Sequence, residues 1–364
     1  MAHGARGVIL ALNAWPGVGP ARLRRLRAEA GNPLRLGAEL ERFWERLGPG
    51  AGPCPSRADL GLLAEHQEAA LARSGAAALL PDEPGWPASL NDLAHPPPVL
   101  FVAGNPAALA DDACRAAVIG ARACTPYGRE QAERFGAGLA CQGVTVISGA
   151  ARGIDQSAMR GAVGAGGRVI AVLGCGLDRP YPPDAAPLLR EIAAAGGAVA
   201  SEFPFGTPPQ AGHFPRRNRI LAALARAVIV VQAARRSGSM NTVAWALTLG
   251  REVFAVPGPV DCVASQGPHM LLREGAALAE SPLDVLRALD GSLTEEERGC
   301  EPRVLVQLAG RDLSLGHLAE ELGEPEEMLL LELVELEMQG RVVKRPGGIY
   351  HRSGPFRGRN ATTS

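Results

Sequence analysis

An arginine-rich segment without acidic residues is the feature of this sequence with the clearest chemical meaning. There is no Asp or Glu between Phe203 and Arg251. The same segment contains seven arginines, which are Arg216, Arg217, Arg219, Arg226, Arg235, Arg236 and Arg251. Guanidinium groups bind phosphate in a bidentate manner and stack on bases, and unopposed arginines repel one another when no anion is present. The segment therefore predicts a phosphate-rich ligand, although packing or solvation explains Arg226 and Arg251 better.

Three phenylalanines accompany these arginines and extend the prediction to unpaired bases. They are Phe203, Phe205 and Phe214. Stacking of a base on an aromatic ring contributes about 1–3 kcal/mol. Core packing is the alternative, and we expect it for at least one of the three.

Two loops of small residues have the form of anion sites. Residues 148–153 (Ser-Gly-Ala-Ala-Arg-Gly) precede a helix that we expect Asp155 to cap, and Ser237-Gly238-Ser239 begins another helix. Free N–H groups and hydroxyls in such turns bind phosphate. Since glycine also simply permits a tight strand-to-helix turn, neither loop alone establishes a ligand.

Signals for catalysis, cofactors and metals are weak. The first strand of the predicted sheet is not followed by Gly-x-Gly-x-x-Gly, and no Walker A loop is present, so neither NAD nor ATP is expected. The serines that follow the predicted strands lack the sequence of a nucleophile elbow. The seven cysteines lack zinc-site spacing. Asp155 and Asp178 suit a helix cap and a turn better than an acid–base pair. We expect no catalytic residue, no cofactor and no metal.

Six short apolar runs must position these loops. The runs are 116–119, 144–147, 169–173, 198–200, 228–231 and 253–256. Continuous apolar runs of this length are typical of parallel strands buried on both faces. Helical stretches separate them, for example 126–141 with Thr125 as N-cap. The alternation predicts an extended Rossmann-like, doubly wound α/β sheet, whose ligands bind beyond the carboxyl ends of the strands.

Flanking regions predict helical modules. Residues 1–80 predict a helical, SAM-like domain in which Pro16-Gly-Val-Gly-Pro20 resembles the hairpin of a helix-hairpin-helix. Such a hairpin offers backbone N–H groups to DNA phosphate, and a packing module with an arginine-rich solvent face is the alternative. The sheet domain covers 81–290, and 291–301 predicts a linker.

Residues 302–353 predict a winged helix, and 354–364 predict a disordered tail. The second helix of its helix-turn-helix, 325–339, contains five glutamates and no Lys or Arg. Because phosphate would be repelled there, we predict a protein-interaction or structural role and no sequence-specific DNA reading.

The near-neutral charge does not exclude a nucleic-acid ligand. The 364 residues include 37 Lys+Arg and 38 Asp+Glu, for a net charge of -1. Residues 99–290 carry 18 basic and 15 acidic side chains, whereas 291–364 carry 9 and 13, so an acidic C-terminal part offsets a basic sheet domain. No apolar run approaches the ~20 residues that span a membrane. No secretory signal opens the chain, and the cysteine pattern favours reduced thiols. We expect a cytoplasmic protein without a membrane partner.

Five motifs, in order along residues 99–290, resemble the DNA-processing protein A (DprA/Smf) family. They are Ser-Gly-Ala-Ala-Arg-Gly-Ile-Asp at 148–155, Val-Leu-Gly-Cys-Gly-Leu-Asp-Arg-Pro-Tyr-Pro at 172–182, His-Phe-Pro-Arg-Arg-Asn-Arg at 213–219, Ser-Gly-Ser at 237–239 and Gly-Arg-Glu-Val-Phe-Ala-Val-Pro-Gly at 250–258. The resemblance implies a non-enzymatic, cytoplasmic homodimer that binds single-stranded DNA in natural transformation and recombination. It also implies protection of incoming strands and loading of the RecA recombinase.

The resemblance further implies which residues bind DNA. The predicted set is Arg122, Ser148, Gly149, Arg152, Gly153, Phe214, Arg216, Arg217, Asn218, Arg219, Ser237, Gly238 and Ser239. In this hypothesis four of the arginines clamp phosphates on the two loops and Phe214 stacks a base. The chain departs from the family at Ala121, where serine is usual, and at Gln232, where glutamate is common.

A nucleotide-processing enzyme is the rival hypothesis. Phosphoribohydrolases of the lysine-decarboxylase-like group resemble this topology and carry Pro-Gly-Gly-x-Gly-Thr-x-x-Glu. Residues 236–244 occupy a similar place but contain no glutamate. The sequence therefore disfavours ribose chemistry.

Overall fold

The computed structural model describes residues 4–47, 52–81, 83–109, 114–290, 303–308, 311–338 and 340–353. The chain divides into two compact units, Met1–Thr294 and Glu295–Ser364. Since the N-terminal helices and the sheet fall in one unit, the domain boundary at residue 81 stays a prediction. The predicted linker at 291–301 and tail at 354–364 lie outside the described residues.

The first unit combines helices with one large sheet. Its helices are α1 (Ala5–Ala14), α2 (Pro20–Ala30), α3 (Pro33–Ala38), α4 (Leu40–Trp44), α5 (Arg57–Ser74), α6 (Pro126–Cys141), α7 (Ile154–Gly164), α8 (Ala186–Ala194), α9 (His213–Leu224), α10 (Ser239–Thr248), α11 (Gln266–Arg273) and α12 (Pro282–Asp290). Its strands are β1 (Ala77–Leu79), β2 (Leu100–Gly104), β3 (Arg115–Ile119), β4 (Thr145–Ser148), β5 (Val169–Leu173), β6 (Ala198–Ser201), β7 (Ala227–Val230), β8 (Glu252–Ala255) and β9 (Ala277–Leu278).

The sheet has the strand order β1-β2-β6-β5-β4-β3-β7-β8-β9. In this spatial order, all neighbouring strands from β6 across the sheet to β9 pair in parallel. At the other end, β2 pairs antiparallel with β6 and β1 pairs antiparallel with β2. The six predicted runs correspond to β3–β8, which confirms the doubly wound α/β prediction. The prediction missed β1, β2 and β9, because strands of two to five residues at sheet edges leave little periodic pattern.

Alternate residues of the central strands enter two different cores. In β3, Ala116 and Val118 pack with helices α6, α7, α8 and α12, while Ala117 and Ile119 pack with α9, α10 and α11. Both faces of the strand are therefore buried, which explains its continuous apolar sequence. Thr125 caps α6 as predicted, accepting a hydrogen bond from the Gly128 N–H, and Pro126 occupies the first helical position.

The N-terminal helices form a third core against the edge of the sheet. Leu23, Leu26 and Phe43 pack there with Phe101 of β2. The turn between α1 and α2 is held by Arg22, whose Nη1 donates to the Gly17 carbonyl at 2.6 Å. The helical character predicted for this region is confirmed, whereas the helix-hairpin-helix motif and its role in DNA binding stay predictions.

The second unit contains three helices and three strands among its described residues. They are α13 (Arg303–Gln307), β10 (Leu313–Ser314), α14 (Leu315–Leu322), α15 (Glu326–Met338), β11 (Val342–Arg345) and β12 (Ile349–Arg352). The strands form a small antiparallel sheet in the order β10-β12-β11. This order of elements is compatible with a winged helix, which stays a prediction.

Within the described part of the chain, no helix is both long and apolar enough to cross a membrane, and no three His, Cys, Asp or Glu side chains group as metal ligands. Cys54, Cys114, Cys124, Cys175 and Cys262 are free thiols.

Candidate functional site

A cleft of about 690 Å³ opens where the strand order of the sheet reverses. The chain runs outward from β3 in one direction through β4 and in the other through β7, so the loops that follow β3 and β7 separate at this point. Open α/β sheets bind ligands at this kind of switch point. Both loops line the cleft, together with the start of α9.

Seven of the thirteen predicted site residues line the cleft. They are Arg122, Phe214, Arg217, Asn218, Ser237, Gly238 and Ser239. The other six, Ser148, Gly149, Arg152, Gly153, Arg216 and Arg219, do not line it. The sequence argument missed Asp155, Tyr181 and Gln210 as lining residues, although Tyr181 lies in one of the quoted motifs.

Arg122 and Phe214 form the cationic and aromatic part of the cleft. The Arg122 guanidinium lies over the Phe214 ring, 5.1 Å from its centroid, and the Tyr181 ring is 5.8 Å from Phe214 on a tilted plane. Arg122 is exposed and has no carboxylate partner within the described residues. The arrangement offers an uncommitted cation beside two rings, which suits a phosphate and its attached base.

Arg217 supplies a second cation from beneath the cleft. Its side chain is buried, its Nε donates to Asn218 Oδ1 at 3.2 Å, and its Nη1 donates to the Val172 carbonyl. A Cβ added at Gly149 would overlap the guanidinium, so the loop after β4 passes directly against it. Burial lowers the pKa of Arg217, while Asp155 opposes that shift, and an arginine remains charged in a protein.

The buried carboxylate of Asp155 holds the loop after β4 through hydrogen bonds to its backbone. It is the second residue of α7, not its cap, and its Oδ2 accepts hydrogen bonds from the N–H groups of Gly149 at 3.1 Å and Ala151 at 3.3 Å. Burial raises its pKa to about 6, and Arg217 and the backbone N–H groups partly oppose that rise.

The expectation of free phosphate-binding groups in this loop is therefore wrong for two amides and one hydroxyl. The Gly149 and Ala151 amides are occupied by Asp155, and the Ser148 hydroxyl donates to the Val118 carbonyl at 2.7 Å. The physical reason is that a carboxylate buried within the turn needs those donors itself.

Gly153 supports the Arg122 loop by close approach. Its φ is +79°, and a Cβ there would overlap the carbonyl oxygens of Ala121 and Arg122. The following Ile154 N–H donates to the Ala121 carbonyl at 3.2 Å. Only glycine fits this position, where the loops after β3 and β4 touch.

The loop after β7 differs from the loop after β4 because one of its backbone donors is available to a ligand. Ser239 Oγ donates to the Gly120 carbonyl at 2.8 Å, and the Ser239 N–H donates to Ser237 Oγ at 3.1 Å. In the described part of the chain the Gly238 N–H has no hydrogen-bond partner. It lies at the start of the ten-residue helix α10, where the helix dipole favours an anion.

Gln232 joins the two loops that line the cleft. Its side chain is buried, its Nε2 donates to Thr125 Oγ1 at 2.8 Å, and its Oε1 accepts from the Thr125 N–H at 3.0 Å. Its carbonyl also accepts from the Ala121 N–H at 2.6 Å. An amide serves both roles, donor and acceptor, which a glutamate at this position would not.

Glu202 neutralises part of the arginine segment. Its buried Oε2 accepts from Arg219 at 2.5 Å and from Arg216 at 3.0 Å, and Arg216 also lies 4.8 Å from the centroid of the Phe203 ring. Glu202, the acid that begins this segment, therefore orients these two arginines, and the premise that they are unopposed is wrong for them. Arg251 likewise pairs with Asp92 at 2.6 Å.

The remaining predicted groups divide between solvent and core. Arg152 is exposed and pairs with Asp184 at 3.1 Å. Phe203 and Phe205 are buried, so stacking of bases on them is excluded in this structure. Arg235 and Arg236 are exposed beside the cleft and have no ion pair within the described residues.

The sheet and this cleft define a Rossmann-like protein with a candidate binding site, lined by arginines, at the switch point. Residues 77–290 match the profile of the family described as DNA recombination-mediator protein A. The chain belongs to that family, which confirms the resemblance seen in the motifs.

Similar proteins support the assignment over most of the chain. Protein Smf of Escherichia coli (strain K12) is 38% identical over 282 residues, which cover 73% of this chain and 75% of that protein. The putative DNA processing protein DprA of Mycobacterium tuberculosis (strain H37Rv) is 44% identical over 64% of this chain and 62% of its own length.

Two solved structures share the fold. The X-ray structure of DNA processing protein A from Streptococcus pneumoniae has a TM-score of 0.62 and 32% identity, covering 79% of this chain and 98% of that one. DNA processing protein A from Helicobacter pylori, a protein with a described single-stranded DNA binding mode, has a TM-score of 0.53 and 30% identity, covering 59% and 95%.

Proposed function

We propose that the switch-point cleft binds single-stranded DNA and that the protein acts in natural transformation and recombination. The observation that carries this proposal is the cleft arrangement of Arg122, Phe214 and Arg217, in which one cation lies over an aromatic ring and a second, buried cation lines the same cleft. Membership of the recombination-mediator family and the single-stranded DNA binding of the H. pylori protein support it.

In this proposal the phosphates lie between Arg122 and the start of α10. Arg122 and the Gly238 N–H offer donors at the mouth, while Arg217 adds positive potential from below. Phe214 stacks an unpaired base, with Tyr181 beside it. Duplex DNA keeps its bases paired and cannot supply that stacked base.

Fluorescence polarisation with labelled oligo-dT across a salt series tests the proposal. Each phosphate contact with a single strand contributes about -0.7 to the log–log salt slope. Arg122 and Arg217 therefore predict a slope of about -1.4, and two further contacts from Arg235 and Arg236 would bring it to about -3. Equal affinity for duplex and single strand, or absence of salt dependence, would overturn the proposal.

Phe214 provides the sharpest variant for this test. Phe214→Ala should weaken oligo-dT binding by about tenfold, since stacking contributes about 1–3 kcal/mol per base. Phe205→Leu is the matched control, because Phe205 is buried in a different core. Unchanged affinity of Phe214→Ala would remove Phe214 from the site.

We further propose that the protein is not an enzyme. The cleft is lined by a single carboxylate, Asp155, and Asp155 is engaged with loop amides. Incubation with AMP should therefore release neither adenine nor ribose phosphate. Release of either product would favour the phosphoribohydrolase alternative.

Protection of incoming strands, loading of the RecA recombinase, a homodimeric state and a cytoplasmic location complete the proposal. Nuclease digestion of bound oligo-dT and RecA ATPase activity on strands precoated with single-strand binding protein measure the first two. Sedimentation equilibrium measures the third. A monomer that leaves RecA activity unchanged would contradict this part and leave the DNA-binding proposal intact.

A further inference from the structure

Helix α15 is apolar on two opposite faces. Its inner face packs in the core of the second unit through the buried leucines Leu329, Leu333 and Leu336. Its outer face exposes Met328, Leu331, Val334 and Met338. At 3.6 residues per turn the spacing 331, 334 and 338 follows one line along the helix, so these side chains form a continuous outer stripe.

The exposure of this stripe is large. Leu331 is 67% exposed and Met338 is 85% exposed. Single exposed apolar residues are ordinary on protein surfaces, whereas contiguous apolar patches mark interaction sites. The stripe is the second apolar face of one helix, and the fold of its own unit does not require it.

Acidic side chains surround the stripe. Helix α15 contains Glu326, Glu327, Glu332, Glu335 and Glu337 and has no Lys or Arg. Burial raises the pKa of Glu332, the neighbouring carboxylates of Glu324 and Glu335 raise it further, and Arg303 partly opposes that rise. The stripe is therefore an apolar strip in a field of negative potential.

We propose that the outer stripe of α15 binds a basic amphipathic helix from a partner protein. Apolar side chains of that helix would lie on Leu331, Val334 and Met338, and its Lys or Arg side chains would face Glu327 and Glu335. Helix-in-groove recognition uses such i, i+3, i+4 and i+7 anchors. A helix of 13 residues is about 20 Å long, which suits a partner helix of three to four turns.

Charge complementarity selects this occupant over the alternatives. DNA is disfavoured because its phosphates would meet only carboxylates on α15. A second copy of the chain, paired α15 to α15, would bring glutamates together, and like charges at short range destabilise such a pair. A basic helix satisfies both the apolar and the acidic part of the surface.

A labelled peptide tests this proposal on the full-length chain. The probe is a fluorescein-labelled peptide of about 14 residues with Leu at i, i+3, i+4 and i+7 and Lys elsewhere. One control peptide has the same composition in an order without an apolar face, and another has Glu in place of Lys. We expect micromolar binding of the amphipathic basic peptide and at least tenfold weaker binding of both controls.

Matched substitutions locate the binding face. Leu331→Gln combined with Met338→Gln should weaken peptide binding at least tenfold, and Glu327→Gln with Glu335→Gln should weaken it in a salt-sensitive way. Leu62→Gln on α5 is the control, since Leu62 has the same 67% exposure. If the double variant does not fold, Met338→Gln alone is measured in its place and should also weaken peptide binding. Oligo-dT affinity should stay unchanged in every variant, which separates this proposal from the DNA-binding one.

Three results would overturn the proposal. Equal binding of the scrambled peptide would show attraction by charge alone. Unchanged affinity of the Leu331→Gln, Met338→Gln variant would place the peptide elsewhere. A wild-type mass in sedimentation that falls when these two residues are replaced would identify a second copy as the occupant.

Discussion

The guanidinium of Arg219 donates a hydrogen bond to Oε2 of Glu202 at 2.5 Å, and both side chains are buried. Arg219 thus belongs to a buried ion pair beside the cleft, and it does not line the cleft itself. Arg219 therefore maintains the fold, whereas an arginine without such a buried partner is available to a ligand.

Arg219→Ala should therefore act mainly on stability. Breaking a buried ion pair costs about 3–5 kcal/mol, and we expect a loss at the lower end of that range because Glu202 keeps its pairing with Arg216. Urea unfolding of Arg219→Ala, Glu202→Gln and the double variant measures this. The double variant should lose less stability than the two single losses combined, and strictly additive losses would contradict the pairing.

Arg122→Ala should act on binding and leave stability nearly unchanged. Arg122 is exposed, its guanidinium lies over the Phe214 ring and it has no ion pair among the described residues, so no buried charge is left behind. We expect oligo-dT affinity to fall about tenfold, in line with one charged hydrogen bond, and the salt slope to shrink by about 0.7. Arg129→Ala, at an exposed site on α6, is the control. If both variants bind alike, Arg122 is not a phosphate contact.

Gly149→Ala should displace Arg217 without altering its charge. The added Cβ would overlap the buried guanidinium, which then loses its hydrogen bond to the Val172 carbonyl. Weaker oligo-dT binding with a reduced unfolding midpoint is the expected result. Gly164→Ala serves as the control, because nothing lies within 4 Å of a Cβ there. Full affinity in Gly149→Ala would show that the position of Arg217 is unimportant.

Asp155→Asn should remove a pH dependence of stability. Burial raises the pKa of Asp155 to about 6 in the folded state, whereas an unfolded chain titrates near its ordinary value of about 3.9. The folded state therefore binds the proton more tightly, so this stabilising contribution is present below pH ~4 and is lost as the pH rises through ~6. The wild-type free energy of unfolding, relative to Asp155→Asn, should fall by on the order of 3 kcal/mol between pH 4 and pH 7.

Chemical unfolding of both proteins at several pH values measures that difference. Other titrating groups are common to both chains, so they largely cancel. A difference that stays flat, or that rises with pH, would contradict a raised pKa for Asp155.

The strands β3–β8 were predictable because their burial is uniform. A strand covered on both faces, such as Val169–Leu173, is apolar at every position, and the pattern is visible without any partner. The acidic character of α15 and the capping of α6 by Thr125 were local in the same way. The two-residue strand β9 and the antiparallel edge strands depend on neighbours far along the chain, and the sequence carries little sign of them.

The sequence predicted which residues belong to the site region, but it could not assign a role to each of them. The motifs identified Arg122, Arg152, Arg217 and Arg219 alike, because their residue type and loop position are the same. The structure places Arg122 and Arg217 at the cleft, Arg219 in a buried pair and Arg152 in an exposed pair with Asp184. The role of Arg152 depends on Asp184, a carboxylate that is distant in the sequence.

The sequence by itself determined the fold class, the family and the segregation of charge between the sheet and the C-terminal unit. These properties follow from residue types and short spacings, which local geometry translates directly into strands, helices and turns. Tertiary structure alone decided which loop amides remain free and which arginines lack a counter-ion. Those outcomes depend on where Asp155 and Glu202 are buried, since a buried carboxylate takes the nearest donors before any ligand can.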